Sequence, residues 1–441
     1  MFYVVLILLL LLETALFYFS LKQQDRLLQE KCIAYSAFTL ILVLLFGAKI
    51  LPYSFRFIPL MLWLTGRLLV NGVLLLKKKK RPFKKVKAGI RYTTAVLTLL
   101  LSLVPLLLFP PFEPIQASGS YQVETKKITC TDQSRMDPFS VENAPRKVTV
   151  DFYYPKTENG KFPLILFSHG AFGFSSSNFF TFQELASHGY IVGSISHTSH
   201  AFFTMDTKRT LTLADQDFLQ KAVEINGLKD TSREEEVFHI TKEWMKLRTE
   251  DTHFLLDTIL SESRSSSPSI PFSLLDGNAI GLFGHSLGGA SSAETARERN
   301  DVDAVIVLDG TMLGEEVDFI DGHVVLNDTP YPVPLLNIYA EDHYEGAMET
   351  QGDEYDNFYA SAHALDARET VFKGTGHLNF TDLPLFSPIL AAKLGIGPAD
   401  ARSAIVTMNE IVLGFFNSYL KNEGTPQIEK EYLDESTSAE N

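Results

Sequence analysis

The sequence predicts an α/β domain built on a doubly wound, mainly parallel sheet, preceded by an all-α transmembrane region of about four helices. Three observations predict it. Four apolar stretches crowd the first 112 residues. From Tyr121 onward, short apolar runs alternate with helical patterns almost to the end of the chain, the signature of strands and crossover helices. A Gly-His-Ser-Leu-Gly turn at 284–288 follows one apolar run and opens one helical pattern.

The stretches Phe2–Ser20, Ala34–Leu51, Phe57–Leu76 and Tyr92–Phe112 are each close to the ~20 residues a helix needs to cross a bilayer. Glu13 lies in the first, and Arg67 and Asn71 in the third. A charge at mid-bilayer costs roughly 2.5–3.5 kcal/mol on insertion scales, which the surrounding leucines outweigh. The first stretch lacks a positive n-region and a small-residue cleavage site, so it reads as a retained helix rather than a signal peptide. Lys22, Arg26 and Lys31 fall in the first loop; Lys77–Lys80, Arg81, Lys84, Lys85, Lys87 and Arg91 fall in the third. With four spans these loops share one side, which the positive-inside rule makes cytoplasmic, leaving the N-terminus and everything after Phe112 outside.

Charge divides the chain at the same place. Residues 1–112 carry fifteen Lys/Arg and three acids, a balance of +12; residues 113–441 carry 24 Lys/Arg and 50 Asp/Glu, a balance of −26. So acidic a domain repels phosphate backbones, which excludes nucleic acid as a partner. Cys32 and Cys130 fall in different regions, so no disulfide framework is read. There is no CxxC and no His/Cys cluster at zinc spacing, so no metal or cofactor is expected.

Residues 113–120, EPIQASGS, read as a linker, 121–425 as the α/β domain, and 426–441 as a disordered acidic tail. Strands are predicted at Tyr121–Thr131, Lys147–Tyr154, Pro163–Ser168, Tyr190–Ser196, Ala279–Gly284, Ala304–Leu308, Val333–Tyr339 and Glu369–Lys373. Helices are predicted at Phe180–His188, Ile240–Glu262, Leu287–Glu298, Glu354–Ala364 and Ala399–Lys421. Runs such as AVIVL and AIGLF are apolar throughout, as strands covered on both faces must be. In a doubly wound sheet the site lies at the carboxyl ends of the strands.

Three strand ends carry chemistry. Ser286 stands at the Gly284–Gly289 turn between a predicted strand and a predicted helix, the context that exposes a nucleophilic hydroxyl. A serine attacks only once a base takes its proton. His377, in the loop Gly374-Thr375-Gly376-His377 after the last strand, is the candidate base. Asp309, ending Ala304–Leu308, and Asp342, following Val333–Tyr339, are both candidates for the acid that orients it, and spacing does not choose between them. The loop Ser168-His169-Gly170-Ala171-Phe172-Gly173 lies at a third strand end. With the turn after Ser286, it offers the backbone N–H groups of Ala171 and Leu287 to a developing oxyanion.

The runs FPLILFSHGAFGF…ELASHGYIVGSISH, GHSLGGAS, VLDG and GTGHLNFTD resemble the plasma-type platelet-activating-factor acetylhydrolases and their bacterial α/β-hydrolase relatives, over roughly Val148–Tyr419. The resemblance implies the α/β-hydrolase fold, a Ser-Asp-His triad, and calcium-independent hydrolysis of esters, chiefly phospholipids with a short or oxidised acyl chain. It maps the acid onto Asp309 rather than Asp342, and the oxyanion amides onto Ala171 and Leu287. The four spans depart from that family's hydrolase domain. So does the acid-rich segment Thr198–His239, expected to form a cap that governs substrate choice.

The leading reading is therefore an ester hydrolase acting on lipid-like substrates at a membrane face, with Phe172, Phe174, Phe179, Phe180, Phe202 and Phe203 as candidates for an acyl site. An acyltransferase on the same fold and a membrane sensor or scaffold with an inactive domain are the alternatives. Sequons at Asn327-Asp328-Thr329 and Asn379-Phe380-Thr381 bear on compartment. A glycan two residues from His377 would block a pocket, so the plasma membrane of a bacterium, with the hydrolase domain extracytoplasmic, is the expected location.

Overall fold

A computed structural model of the chain describes residues 2–25, 27–51, 54–77, 83–228 and 233–433. Arg26, Lys78–Lys80 and Arg81 of the basic loops lie outside the described residues. The chain divides into two compact units, Met1–Phe112 with Phe386–Pro388, and Glu113–Leu385 with Ile389–Asn441.

The first unit contains helices α1 (Phe2–Gln23), α2 (Leu28–Gly47), α3 (Ile58–Leu76), α4 (Lys85–Ser102) and α5 (Val104–Leu108). Four of its helical segments, of 20, 20, 22 and 24 residues, are long and apolar enough to cross a membrane. They bury a core that includes Leu9, Tyr35, Leu42, Leu60, Leu64 and Leu99, while many other leucines, isoleucines and valines face outward. The polar residues that weakened the first and third stretches are brought together. Arg67 Nη2 lies 3.2 Å from Glu13 Oε2 and donates to Tyr35 Oη at 2.8 Å, Tyr35 donates to Glu13, and Asn71 donates to the Arg67 carbonyl at 2.7 Å. Pairing offsets part of the cost of burying each charge.

The second unit is built on a nine-stranded sheet. Its strands are β1 (Val123–Met136), β2 (Pro145–Pro155), β3 (Phe162–Ser168), β4 (Ile191–Ser196), β7 (Leu275–His285), β8 (Ala304–Leu308), β11 (Leu335–Ala340), β12 (Ala367–Phe372) and β13 (Glu431–Tyr432). Two small hairpins, β5 (Phe203–Met205) with β6 (Leu211–Leu213) and β9 (Glu316–Ile320) with β10 (His323–Leu326), stand apart from it. The sheet order is β1-β2-β4-β3-β7-β8-β11-β12-β13, antiparallel through β1, β2 and β4 and parallel from β4 onward. All eight predicted strands occur within a few residues of their expected bounds. The hairpins and β13 carry too little apolar pattern to have been read.

Alternation along each strand builds two core layers. Leu164, Leu166, Ile280, Leu282, Val305 and Val307 face helices α8 (Glu234–Ser263) and α9 (Leu287–Glu298), burying Leu255, Leu256, Ile259 and Ala293. Ile165, Phe167, Phe283, Ile306 and Leu308 face α6 (Phe179–Ser187) and the long C-terminal helix Ala401–Lys421, burying Phe182, Leu185, Met408, Val412, Phe415 and Phe416. Gly281 lets that helix approach, since a Cβ there would lie 2.6 Å from the Phe416 ring. This is the α/β-hydrolase arrangement.

One sequence expectation needs correction. The acidic C-terminal segment does not end in disorder at residue 426: Glu431 and Tyr432 pair with Val371 and Phe372, and Ile428, Tyr432 and Leu433 pack on the core. Three apolar side chains and the unpaired edge of β12 outweigh the local charge; residues 434–441 lie outside the described residues. The Thr198–His239 segment comprises the β5–β6 hairpin, helix α7 (Gln216–Asn226) and the start of α8. Residues 229–232 lie outside the described residues.

Candidate active site

The carboxyl ends of β3, β7, β8, β11 and β12 converge on one locality. After β7 the chain turns at Ser286 with φ 57° and ψ −130° and enters α9 directly. Such a conformation costs of order 1–3 kcal/mol in a non-glycine residue and persists only where its surroundings impose it. Here the Ser286 N–H donates to the Leu308 carbonyl at 2.9 Å, tying the turn to the end of β8. Gly288 permits the close packing behind it, because a Cβ would fall onto the Ser168 carbonyl. The serine is partly exposed.

Asp309 follows β8 with φ 48°, its N–H bonded to the Ile338 carbonyl at 2.7 Å. Its buried carboxylate accepts from His377 Nδ1 at 2.6 Å, from His343 Nδ1 at 3.0 Å and from the Ala340 N–H at 2.7 Å. Burial would raise its pKa, but the hydrogen bonds and charges of His343 and His377 hold it well below the usual carboxylate range. Asp342 is exposed in the first turn of α10 (Glu341–Thr350), its carboxylate accepting from the His343 N–H at 2.8 Å. The fold thus brings Asp309, and not Asp342, to His377.

His377 opens a short 3₁₀ turn after β12. Asn379 shapes this loop by accepting from the Gly376 N–H and the Gly397 N–H, each at 2.9 Å. His285, next to the serine, lies with its ring 4.5 Å from that of His377 and donates from Nε2 to the His377 carbonyl at 2.9 Å. Burial, aided by the neighbouring His377, pulls the His285 pKa down to about 3, so this ring is neutral. Among the described residues no hydrogen bond joins Ser286 Oγ to His377 Nε2; such contacts commonly tighten only when substrate is bound.

The Ser168–Gly173 loop passes over the serine, and a Cβ on Gly170 would sit 3.2 Å from Ser286 Cβ. Ala171 packs with Leu287 and Ala290 against Phe218 of α7 and Met245 of α8. Leu287 is the first residue of α9, so its N–H has no intrahelical acceptor. What fixes the loop is a residue absent from the sequence reading. Arg248 of α8, fully buried, donates to the carbonyls of His169, Gly170 (3.4 Å) and His200 (3.3 Å). Burial lowers its pKa to about 9, with Asp251 opposing, so it remains charged at neutral pH. One turn on, Asp251 pairs with Arg146 at 2.7 Å and accepts from His197 Nδ1 at 3.1 Å; His197 Nε2 in turn accepts from Ser168 Oγ at 2.8 Å. This second serine–histidine–aspartate relay has no exposed member and serves as framework. No local pattern marks Arg248 in the sequence, because the carbonyls it holds lie far away along the chain.

Asp309, His343 and His377 place three donor atoms within 4.8 Å of one another, a spacing that could suit a metal. Each nitrogen also lies at hydrogen-bond distance from a carboxylate oxygen, where an ionised Asp309 accepts from a ring N–H. Of the proposed acyl-site aromatics, Phe180 is buried and Phe179 sits against Tyr153, ring centroids 5.9 Å apart. Phe172, Phe202 and Phe203 are exposed, with Phe203 stacked on Phe174 at 4.9 Å.

Comparison with known proteins gives the family and the fold. The family described as "Platelet-activating factor acetylhydrolase, isoform II" matches residues 143–435. Platelet-activating factor acetylhydrolase of Cavia porcellus is 25% identical over 289 residues, covering 62% of this chain and 61% of that protein. Cutinase cut1 of Thermobifida fusca is 25% identical over 227 residues, covering 50% of this chain and 55% of that protein. The chain thus spans about three fifths or less of the length of these relatives. A solved ferulic acid esterase from Streptomyces cinnamoneus superposes with a TM-score of 0.55 at 20% identity, covering 73% of this chain and 96% of that one, and shares the fold.

Proposed function

Because the chain belongs to the platelet-activating factor acetylhydrolase isoform II family, we propose that it hydrolyses carboxylic esters through Ser286, His377 and Asp309, without calcium. The observation that carries this reading is the 2.6 Å bond from His377 Nδ1 to a buried carboxylate, beside a serine held at a strained strand-to-helix turn. His377 takes the Ser286 proton at Nε2 as Oγ attacks the ester carbonyl, and Asp309 stabilises the imidazolium that forms. The tetrahedral oxyanion is received by the N–H groups of Ala171 and Leu287. Its collapse expels the alcohol, which takes the proton from His377, and leaves an acyl-serine. Water, deprotonated by the same imidazole, then releases the acid and restores the serine.

The substrate class is a lipid-like ester with a short or truncated acyl chain, admitted past the exposed aromatics of the 202–203 segment. Four helices long and apolar enough to cross a membrane support a membrane anchor, and the basic first and third loops favour an arrangement with the hydrolase outside. The Asn379 sequon no longer bears on compartment, since its buried side chain is committed to the His377 loop.

Full-length protein in detergent, assayed on p-nitrophenyl esters and short-chain phospholipids with EDTA present, tests the reading. Ser286→Ala should abolish fluorophosphonate labelling and lower hydrolysis by at least ~10³-fold. Labelling or turnover that survives the change would refute it.

A further inference from the structure

The carboxylate at the centre of the site has more donors than one histidine requires. Oδ2 of Asp309 accepts from His377 Nδ1 at 2.6 Å. Oδ1 accepts from both the Ala340 N–H at 2.7 Å and His343 Nδ1 at 3.0 Å. His343 stands in the first turn of α10, just past the end of β11, and is itself held at both ring nitrogens. Its Nε2 lies 3.1 Å from Tyr355 Oη, which lies 3.2 Å from Thr311 Oγ1.

The protonation of this chain follows from its acceptors. An ionised carboxylate only accepts, so both Nδ1 atoms carry protons. In a neutral His343 ring Nε2 is then the acceptor, and Tyr355 donates to it. In a charged ring Nε2 donates to Tyr355, whose hydroxyl can turn to Thr311. The hydroxyl pair therefore accommodates either state of the ring without leaving a buried group unpaired.

We propose that His343 is a positioning residue for the hydrolytic reaction: it fixes Asp309 Oδ1 so that Oδ2 alone is presented to His377, and its charge tempers the hold of that carboxylate on the His377 imidazolium. This rests on the reading of Ser286, Asp309 and His377 as the catalytic set. Without the His343 bond, Oδ1 keeps one N–H donor, and the carboxylate gains freedom to rotate away from the 2.6 Å geometry.

A pH signature follows. The groups facing His343 are Asp309 from the end of β8, Asp342 on its own helix, Tyr355 ahead of α11 (Asp356–Ala362), and His377 from the loop after β12. Glu341, also on its helix, turns to the Gly374 N–H at 2.6 Å and to Lys373. Burial opposes protonation of His343, but the hydrogen bond and charge of Asp309, then the charge of Asp342, raise its pKa above the usual 6.5. As pH falls, a charged His343 shares the carboxylate that a charged His377 would need. Two charged rings on one carboxylate repel each other, so the native site stays active further into acid than one with a neutral group at 343.

The test uses the full-length protein with a p-nitrophenyl ester, comparing His343→Asn and His343→Leu. Asparagine places an N–H donor near the position of Nδ1 but does not titrate; leucine does neither. His343→Leu should lower kcat at pH 8 by roughly 10–100-fold with KM changed less than about threefold. His343→Asn should restore kcat to within about threefold, while the acid limb of its kcat/KM profile moves to higher pH by about half a unit or more. Equal kcat in all three proteins, or an acid limb in the asparagine variant that coincides with wild type, would overturn the proposal. A leucine loss that asparagine does not restore, accompanied by a lowered melting temperature in both variants, would also overturn it, assigning His343 a structural role alone. Fluorophosphonate labelling of wild type and Ser286→Ala in the same series separates this failure from failure of the hydrolase reading, which would show as turnover independent of Ser286.

Discussion

His377 meets Asp309 at 2.6 Å although the two are separated by 68 residues, and the aspartate that stands closer in sequence, Asp342, makes no bond to it. The reason lies in sheet order. β11 is flanked by β8 and β12, so the loop after β8 and the loop after β12 reach toward each other across the end of β11. The 340–343 segment there supplies the Ala340 N–H and His343 as further donors to the same carboxylate.

Asp309→Asn should lower turnover by roughly 10²–10⁴-fold, because an amide cannot stabilise the imidazolium and favours the wrong tautomer. Asp342→Asn should stay within about threefold of wild type, as expected of a surface substitution. Steady-state kinetics on one ester decide the matter, and the reverse ranking would transfer the orienting role to Asp342.

Arg248 is expected to matter through the backbone it holds. Arg248→Met strips donors from the His169, Gly170 and His200 carbonyls, a cost of about 1–3 kcal/mol for each group left unsatisfied. The loop bearing Ala171 should then lose its alignment with the oxyanion, lowering kcat by about 10²-fold while KM changes little. A variant that melts earlier yet turns over normally would show that the clamp serves stability only.

Acid should destabilise the hydrolase unit before its carboxylates titrate. His197 is fully buried, and burial holds its pKa down to about 4, with the bond to Asp251 opposing. An unfolded histidine binds its proton near 6.5. Between those values the unfolded state carries the extra proton, so stability is complete above about pH 6.5 and declines as pH falls toward 4, by roughly 3 kcal/mol for this residue. His285, held near 3, acts in the same direction. Melting temperature measured from pH 7.5 to 4.5 should fall, and His197→Asn should flatten the slope; a flat wild-type curve would contradict the assignment of a neutral buried ring.

Protease treatment of intact cells or right-side-out spheroplasts tests the four-span arrangement. The domain beginning near Glu113 should be digested without permeabilisation, since the basic first and third loops retain the opposite side. Protection until the membrane is opened would put the active site inside and remove the extracytoplasmic reading.

Much of the fold and part of the candidate site were legible in local sequence pattern. Apolar runs such as AVIVL state their own burial, and a glycine-flanked serine between a strand and a helix defines its own strained turn, so the sheet, the apolar helices and the geometry at Ser286 follow from local pattern. His377 followed from chain order after the last strand. Asp309 and Asp342 remained equivalent on spacing, because each follows a strand, and the family resemblance alone favoured Asp309; the lateral order of β8, β11 and β12 is what gives it the bond. His343 and Arg248 were invisible for the same reason. Their partners are a carboxylate 34 residues away and three carbonyls up to 79 residues away, contacts that no local period encodes. The acidic end of the chain misled in the opposite sense, since β13 is held by an edge and a core that other segments supply. Local sequence determined which elements form and where a nucleophile can stand. Tertiary packing decided which distant polar groups share a buried carboxylate, because that pairing is set by the desolvation of groups that meet only once the sheet is complete.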